Sequence, residues 1–338
     1  MNTNNKSLKF SVRLNNDRPV AEYIQMAQVA EASGFDQFWV SHDLFLRSAP
    51  VILAAVAGAT QRIEIGTCIV NPYTVNPAEL AMMAATLDEL SGGRFNLGLG
   101  AGAEQFLKWV GIEQFHPLAA VKETATVIRR LLAGERVAFN GSFLHWTDEA
   151  YLRFPPRRQI PIYLGAMSPN MLKAIGQWAD GGLPLLFPPE HYANIVPYIE
   201  DGARSANRTL EDIDIAACVW CSISEDRAAA VEVLKEKIAY YGYALSPLIW
   251  QQLGLSAADF APLEQAMMQE KNTAKAKSLI TEQMLQIGIV GTADDLVERL
   301  KNLVAMGARH LSFGPPLGPE PIEALKLIGK TVLSHFKN

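Results

Sequence analysis

The sequence predicts an α/β fold, a single (β/α)8 TIM barrel spanning residues 1–338, and three observations carry that reading. Strand-like and helix-like segments alternate from one end of the chain to the other, which favours a parallel sheet with helices packed outside it. Eight such pairs occur, the number that closes a barrel. No flexible linker, low-complexity tract or long-period repeat divides the chain, and 49% hydrophobic residues with 19% charged suffice for one large core.

The strands fall near 8–14, 36–41, 62–70, 94–99, 161–166, 181–187, 213–223 and 309–313, each followed by apolar residues at helical spacing. In the first helix Val20, Ile24, Ala27 and Ala30 form one stripe, and Gly34 supplies a left-handed stop. The third helix is the best marked: Asn76 can cap it, Pro77 suits its first turn and Gly92 follows its end. Ser168 with Pro169, and Thr292 with Asp294 and Asp295, mark two later starts, the second helix ending before Gly307. Two stretches exceed a minimal barrel, near 135–158 and 243–290. The second is rich in Ala, Gln, Met and Leu and reads as a helical surface excursion, with a role in covering the substrate as the alternative.

Composition excludes several function classes. Net charge is −5 with no basic run to neutralise a row of phosphates, so nucleic acid is not an expected partner. No uninterrupted apolar stretch is long enough for a membrane span and the N-terminus lacks a secretory apolar core, so a soluble, cytoplasmic protein is expected. Three cysteines cannot build a disulfide framework in a chain this long. Cys218 and Cys221 form a CxxC, but within a strand-like run positions three apart point to opposite faces, so the pair reads as buried and inert.

In a parallel barrel, reactive groups collect where strands end and the following loops begin. The second strand ends in His42 and Asp43, an imidazole and a carboxylate suited to acid or base work. Adjacent residues of a strand diverge, so the two are not expected to bond each other, and Asp43 could instead cap the next helix. Gly66, Asn71 and Pro72 interrupt the third strand's β pattern and predict a bulge there. The fourth ends in a run holding Gly98, Gly100 and Gly102, whose absent side chains would admit a flat ring or another backbone. No acidic strand end follows about 20 residues later, so this is not a dinucleotide fingerprint. The helix start at Ser168 is a natural anion site or a bare cap. The eighth strand leads into a proline-rich turn, 314–319, with Phe313 lining the pocket and His310 at the opposite end. No HxH or HExxH pair, nucleophile elbow or P-loop occurs, so no metal is expected and the chemistry should be a cofactor's.

These strand ends, with IEIGTCIVNPYTVNPAEL, GGRFNLGLGAG, IPIYLGAMSPNMLKAIGQWADG and FGPPLGPEPIEALKLIG, resemble the bacterial-luciferase-like superfamily of flavin- and deazaflavin-dependent barrels over nearly the whole chain. Within it the resemblance is nearest the methylenetetrahydromethanopterin reductase branch. It implies a nonprolyl cis peptide at Cys68-Ile69 behind the cofactor ring, with Asn71 facing that ring and Gly100 and Gly102 beside it. It further implies the cofactor phosphate around Met167, Ser168 and Asn170, Leu185 along the tail, and Glu104 near an acidic residue that some deazaflavin dehydrogenases use. The chain departs from the branch in carrying His42-Asp43 in reversed order and Arg13 where the pterin reductases place a glutamate.

The expected function is hydride transfer between coenzyme F-420 and a small organic, possibly pterin-like, substrate, with His42, Asp43 and Glu104 as candidate catalytic residues. An FMN-dependent monooxygenase is the alternative, and a catalytically silent flavin-binding protein is the alternative of another class. Relatives commonly assemble as dimers or tetramers, so a homo-oligomer is expected.

Overall fold

The computed structural model describes residues 8–245 and 247–337. Eight parallel barrel strands run in order: β1 (Lys9–Leu14), β2 (Gln37–Val40), β3 (Glu64–Thr67), β4 (Phe95–Leu99), β5 (Ile162–Leu164), β6 in two pieces (Gly181–Gly182 and Leu185–Leu186), β7 (Asp214–Ile223) and β8 (His310–Leu317). Each pairs with its sequence neighbour, and β1 pairs with β8, so the sheet closes on itself. The predicted barrel is therefore the observed fold. Among the described residues no helix is long and apolar enough to cross a membrane.

Strand alternation explains the two layers of packing. Along β1, Phe10, Val12 and Leu14 face outward into the main core under the helices, whereas Ser11 and Arg13 face the barrel axis. The helix Pro77–Ser91 starts as its sequence requires: the Asn76 side chain accepts from Ala78 N at 2.9 Å, and Gly92 ends it at φ +70°. Thr292 and Asp295 form a capping box on the helix Ala293–Ala305. Cys218 joins an inner cluster with Trp39 and Tyr163 while Cys221 lies in the outer core, so the CxxC pair does point to opposite faces.

The closed, N-terminal end of the barrel is plugged by a satisfied polar network. His310, fully buried, holds Asp214 through Nδ1 at 2.9 Å and Ser11 through Nε2 at 2.8 Å. Tyr163 and Lys9 donate to the other Asp214 oxygen at 2.7 and 2.8 Å. Beside it, Gln37 and Asn96 donate to Glu64 at 2.7 and 2.8 Å, and Trp39 donates to Gln37 at 3.1 Å. His310 thus lies at the end predicted for it, away from the mouth.

Four features differ from the sequence reading. β8 continues through Pro315 and Pro316 to Leu317 where a turn is predicted; prolines are tolerated because the register against β7 shifts between Trp220 and Ser222. Phe313 does not line the pocket. Its odd position on β8 turns it outward, edge-on to Phe35 with ring centroids 5.9 Å apart. A short strand, Ile289–Gly291, extends the sheet beside the end of β7. Finally, 243–290 is helical, as predicted, but is no mere surface excursion. Its helices enclose a second apolar core around Phe260, Leu263 and Met284, which reaches the barrel through Phe187 and Trp220. The other insertion contains a small hairpin, Phe139–Asn140 with His145–Trp146, tied to the barrel helix by Glu123, whose carboxylate accepts from Ser142, Phe143 and Leu144 backbone N–H groups.

Candidate active site at the barrel mouth

The loop after β2 is built around a residue that the sequence reading passed over. Buried Asn16, just past β1, donates to the carbonyls of Asp43 and Arg47 at 3.1 and 2.6 Å and accepts from Asp43 N at 3.3 Å. One carboxamide thereby fixes the backbone that carries His42 and Asp43. The helix-capping role proposed for Asp43 belongs to His42, whose Nδ1 accepts from Ala49 N at 3.2 Å at the start of the helix Ala49–Ala59. A backbone N–H can only donate, so His42 Nδ1 carries no proton and the neutral ring's hydrogen sits on Nε2. Burial lowers the His42 pKa, against the opposing pull of Asp43, and so favours that neutral form.

Beyond β3 the chain forms the expected irregularity. The Cys68–Ile69 peptide is cis, where the resemblance puts it, and Val70 then bridges Leu99. Thr67 explains why β4 needs glycine next to it: its hydroxyl donates to Gly98 O at 2.9 Å and accepts from Gly98 N at 3.0 Å. A Cβ at position 98 would sit 1.8 Å from the Thr67 carbonyl oxygen. The later glycines make room for side chains of the β3 bulge. A Cβ at Gly100 or Gly165 would meet the Ile69 side chain at 3.0 or 2.9 Å, so the space they leave is filled by Ile69. Gly102, at φ +75°, likewise makes room for Asn71. Asn71 is buried, its side-chain oxygen accepts from Tyr73 and Thr74 N at 3.0 Å each, and its amide nitrogen lies against Gly102.

The floor of the mouth is apolar. Half-buried Cys68, Ile69 and Leu185 cover the inner cluster of Trp39, Tyr163, Leu183, Ala216 and Cys218. Burial pushes the Cys68 thiol up to about 12, so it stays protonated and joins the floor as an apolar group. At the rim, Ser168 caps the helix Pro169–Trp178 by accepting from Met171 N at 3.4 Å, with Met167, Ser168 and Asn170 all exposed. Between them, Met167, Leu185, Phe187, His191 and Gln252 line a cavity of about 50 Å³. The buried Gln252 side-chain oxygen has no hydrogen-bond partner among the described residues.

Charge gathers on the opposite side. Arg13, on the axial face of β1, lies beside Cys68, Asp43 and Lys237. Lys237, from the helix Arg227–Tyr241, stands over the rings of Tyr241 and Trp220 at 4.2 and 5.3 Å. Burial and neighbouring Arg13 lower its pKa to about 8, despite the countering pull of Asp17 and Asp43. Burial raises Asp43, and Arg13 and Lys237 restrain that rise. Nothing in EVLKEKIAYY marks Lys237, because the segment reads as an ordinary solvated helix face.

Glu104 stands apart. It is exposed on the short helix Glu104–Trp109 and pairs with Lys108 at 2.7 Å. A larger cavity, about 350 Å³, lies away from the mouth between Glu190, Arg227, Glu282, Asp295 and Arg299, and contains none of the predicted site residues. Among the described residues no cluster of three or more His, Cys, Asp or Glu could hold a metal.

Comparison with known proteins places this mouth in context. The profile of a family described as luciferase-like monooxygenase matches residues 7–310. A 5,10-methylenetetrahydromethanopterin reductase from Methanolobus tindarius is 32% identical, covering 96% of this chain and all of that protein. The solved structure of the coenzyme F-420-dependent tetrahydromethanopterin reductase from Methanopyrus kandleri superposes with a TM-score of 0.92 at 29% identity, covering 98% of this chain and all of that one. A glucose-6-phosphate dehydrogenase from Nakamurella multipartita, also named as dependent on coenzyme F-420, is 29% identical over 94% of this chain and 93% of its own.

Proposed function

The chain belongs to the luciferase-like monooxygenase family, and from that premise we propose that it is an oxidoreductase moving a hydride between coenzyme F-420 and a small organic substrate at the barrel mouth. A pterin is the first candidate substrate, because the reductases it resembles over full length are named for one.

The observation that carries the proposal is the apolar floor of Cys68, Ile69 and Leu185, open at the C-terminal ends of the strands and bordered by the Ser168-capped helix. A flat aromatic ring with a phosphorylated tail fits that combination: an apolar surface for the ring and a helix start for the anion. In this reading Cys68, Ile69 and Asn71 back the ring, with Gly100 and Gly102 giving the clearance that seats Ile69 and Asn71. Met167, Ser168 and Asn170 take the phosphate, and Leu185 lines the tail.

Coenzyme F-420, when bound, would supply the hydride chemistry. The chain's own residues supply position and protons. His42, with its hydrogen on Nε2, offers a neutral donor to the substrate. Asp43, raised by burial, is the nearest group able to exchange a proton at the rim. Trp220 and the helical insertion wall off water on one side.

Titration of the purified protein with coenzyme F-420 and with FMN, followed by fluorescence quenching, tests the reading. Saturable binding of coenzyme F-420, then hydride transfer without dioxygen uptake, is the expected result. Binding of neither cofactor sinks the proposal, and tight FMN binding with dioxygen uptake replaces it with the monooxygenase reading.

A further inference from the structure

Several ionic groups of the barrel are paired at short range: Asp214 with Lys9 and His310, Glu190 with Arg299, Asp180 with Arg129. Two cations at the mouth are not. Among the described residues, neither Arg13 nor Lys237 makes an ion pair within 4 Å. Both are half-buried and near enough for Arg13 to depress the Lys237 pKa, and Lys237 stands over the rings of Trp220 and Tyr241. Arg13 also reaches toward Gly314 of β8, where a Cβ would lie 3.7 Å from its Nη2. No thiolate can neutralise it, because burial keeps Cys68 and Cys218 protonated. Asp43 and Asp17 are the carboxylates nearby, and neither comes within 4 Å of either cation.

Arg13 has the Cys68 thiol as a hydrogen-bond partner and Lys237 has two rings beside it, but holding two like charges half out of water without an ion partner is costly, and the cost is recovered when an anion arrives between them. We propose that Arg13 and Lys237 form an oxyanion-binding pair that selects substrates carrying a carboxylate or phosphate next to the reacting centre. Arg13 offers a planar fork suited to two oxygens, and Lys237 a compact charge fixed by its aromatic walls. Asp43, beside both, sets a limit on how tightly the anion is held. This inference rests on the hydride-transfer reading for the word substrate, but not for the anion site itself.

The test uses full-length protein and small probes rather than an unknown substrate. Succinate is compared with succinamide, its neutral counterpart, and inorganic phosphate is run as a separate arm. Binding is read by the spectral change of the protein loaded with coenzyme F-420, and by thermal shift of the protein alone. Wild type is expected to bind the anions at least about 10-fold more tightly than succinamide, since a charge-assisted hydrogen bond is worth that or more. Arg13→Gln and Lys237→Gln should each lose about 10-fold in anion affinity, with cofactor affinity unchanged, and Arg13→Lys should recover part of the loss. Asp43→Asn should act in the opposite sense and tighten the anion. Whichever of succinate and phosphate binds more tightly names the natural group. Equal binding of succinate and succinamide overturns the proposal, and so does loss of cofactor affinity in the Arg13 and Lys237 variants with anion affinity intact. If coenzyme F-420 fails to bind wild type, the hydride reading falls, while the thermal-shift arm still decides the anion site.

Discussion

The two ends of this barrel use similar side chains to opposite ends. At the closed end Asp214 is contacted by His310, Tyr163 and Lys9, and Glu64 by Gln37 and Asn96, so each carboxylate is satisfied from within the protein. At the mouth Arg13 and Lys237 remain without an ion partner within 4 Å, and the Asp43 backbone is held by the Asn16 side chain. The two roles lie close together along the chain: on β1, Ser11 belongs to the closed-end network and Arg13, two residues on, to the mouth. Unspent bonding capacity, more than polarity as such, distinguishes the end that can act on another molecule from the end that holds the fold.

The largest expected effect tests the closed end. Asp214→Ala leaves buried His310 without its hydrogen-bond partner and Lys9 without its ion partner, and should cost about 3–5 kcal/mol in urea denaturation at neutral pH. The Asp214 pKa is held well below the usual carboxylate range, with His310 the leading favourable partner and Lys9 the next. Its contribution is therefore complete above the unfolded value near pH 4 and disappears as the pH falls through the lower folded value. Wild type and Asp214→Ala should converge in stability in strong acid. A variant as stable as wild type at pH 7 would break the comparison.

Next in size is Gly100→Ala, whose Cβ falls 3.0 Å from Ile69. Overpacking should cost about 1–3 kcal/mol and weaken cofactor binding by displacing the floor. Ile69→Ala in the same chain should restore both, as calorimetry and cofactor titration can check. Failure of that rescue would mean that Gly100 serves the ring directly, as the sequence first suggested.

Lys237→Met should do the opposite of Asp214→Ala. The lysine's folded pKa, about 8, lies below its ordinary 10.5, so the folded protein resists the proton that the unfolded chain accepts. That cost is full below pH 8 and fades as the pH rises toward 10.5. Arg13, Asp17, Asp43 and Tyr241 are the other ionisable groups around it. Methionine, keeping the bulk without the charge, should stabilise the protein at pH 7 by about 1–2 kcal/mol, an advantage that shrinks in alkaline urea titrations.

The smallest effect belongs to Glu104→Gln. Its exposed pair with Lys108 should be worth under about 0.5 kcal/mol, and kcat should be unchanged if the residue stays where the structure puts it. A fall in kcat of about 10-fold or more, with stability intact, would show that the helix Glu104–Trp109 swings toward the mouth during turnover.

The barrel was legible in the sequence because alternation and caps are local: Asn76 and Gly92, Thr292 and Asp295 each announce an element within a few residues. The bulge after β3 was legible too, since Asn71 and Pro72 break a strand wherever they stand. What the sequence could not display was partnership across the barrel. That His42 rather than Asp43 caps the next helix depends on the path of the loop, which Asn16 sets from another strand. That Gly100 and Gly165 seat Ile69 depends on how closely the chain beyond β3 approaches the ends of β4 and β5. Lys237 is hidden for the same reason: its helix has one face on the barrel and another under the insertion's core, and no periodicity marks a cation between them.

β1 is paired on one side with β2 and on the other with β8, and the His310 to Ser11 hydrogen bond joins positions 299 residues apart. During synthesis the first strand therefore waits, one edge bare, until almost the entire chain has left the ribosome. Closure of so long a loop is slow relative to local helix formation, and a bare strand edge invites pairing with other nascent chains. Truncation after the seventh strand should accordingly yield aggregates rather than a smaller barrel.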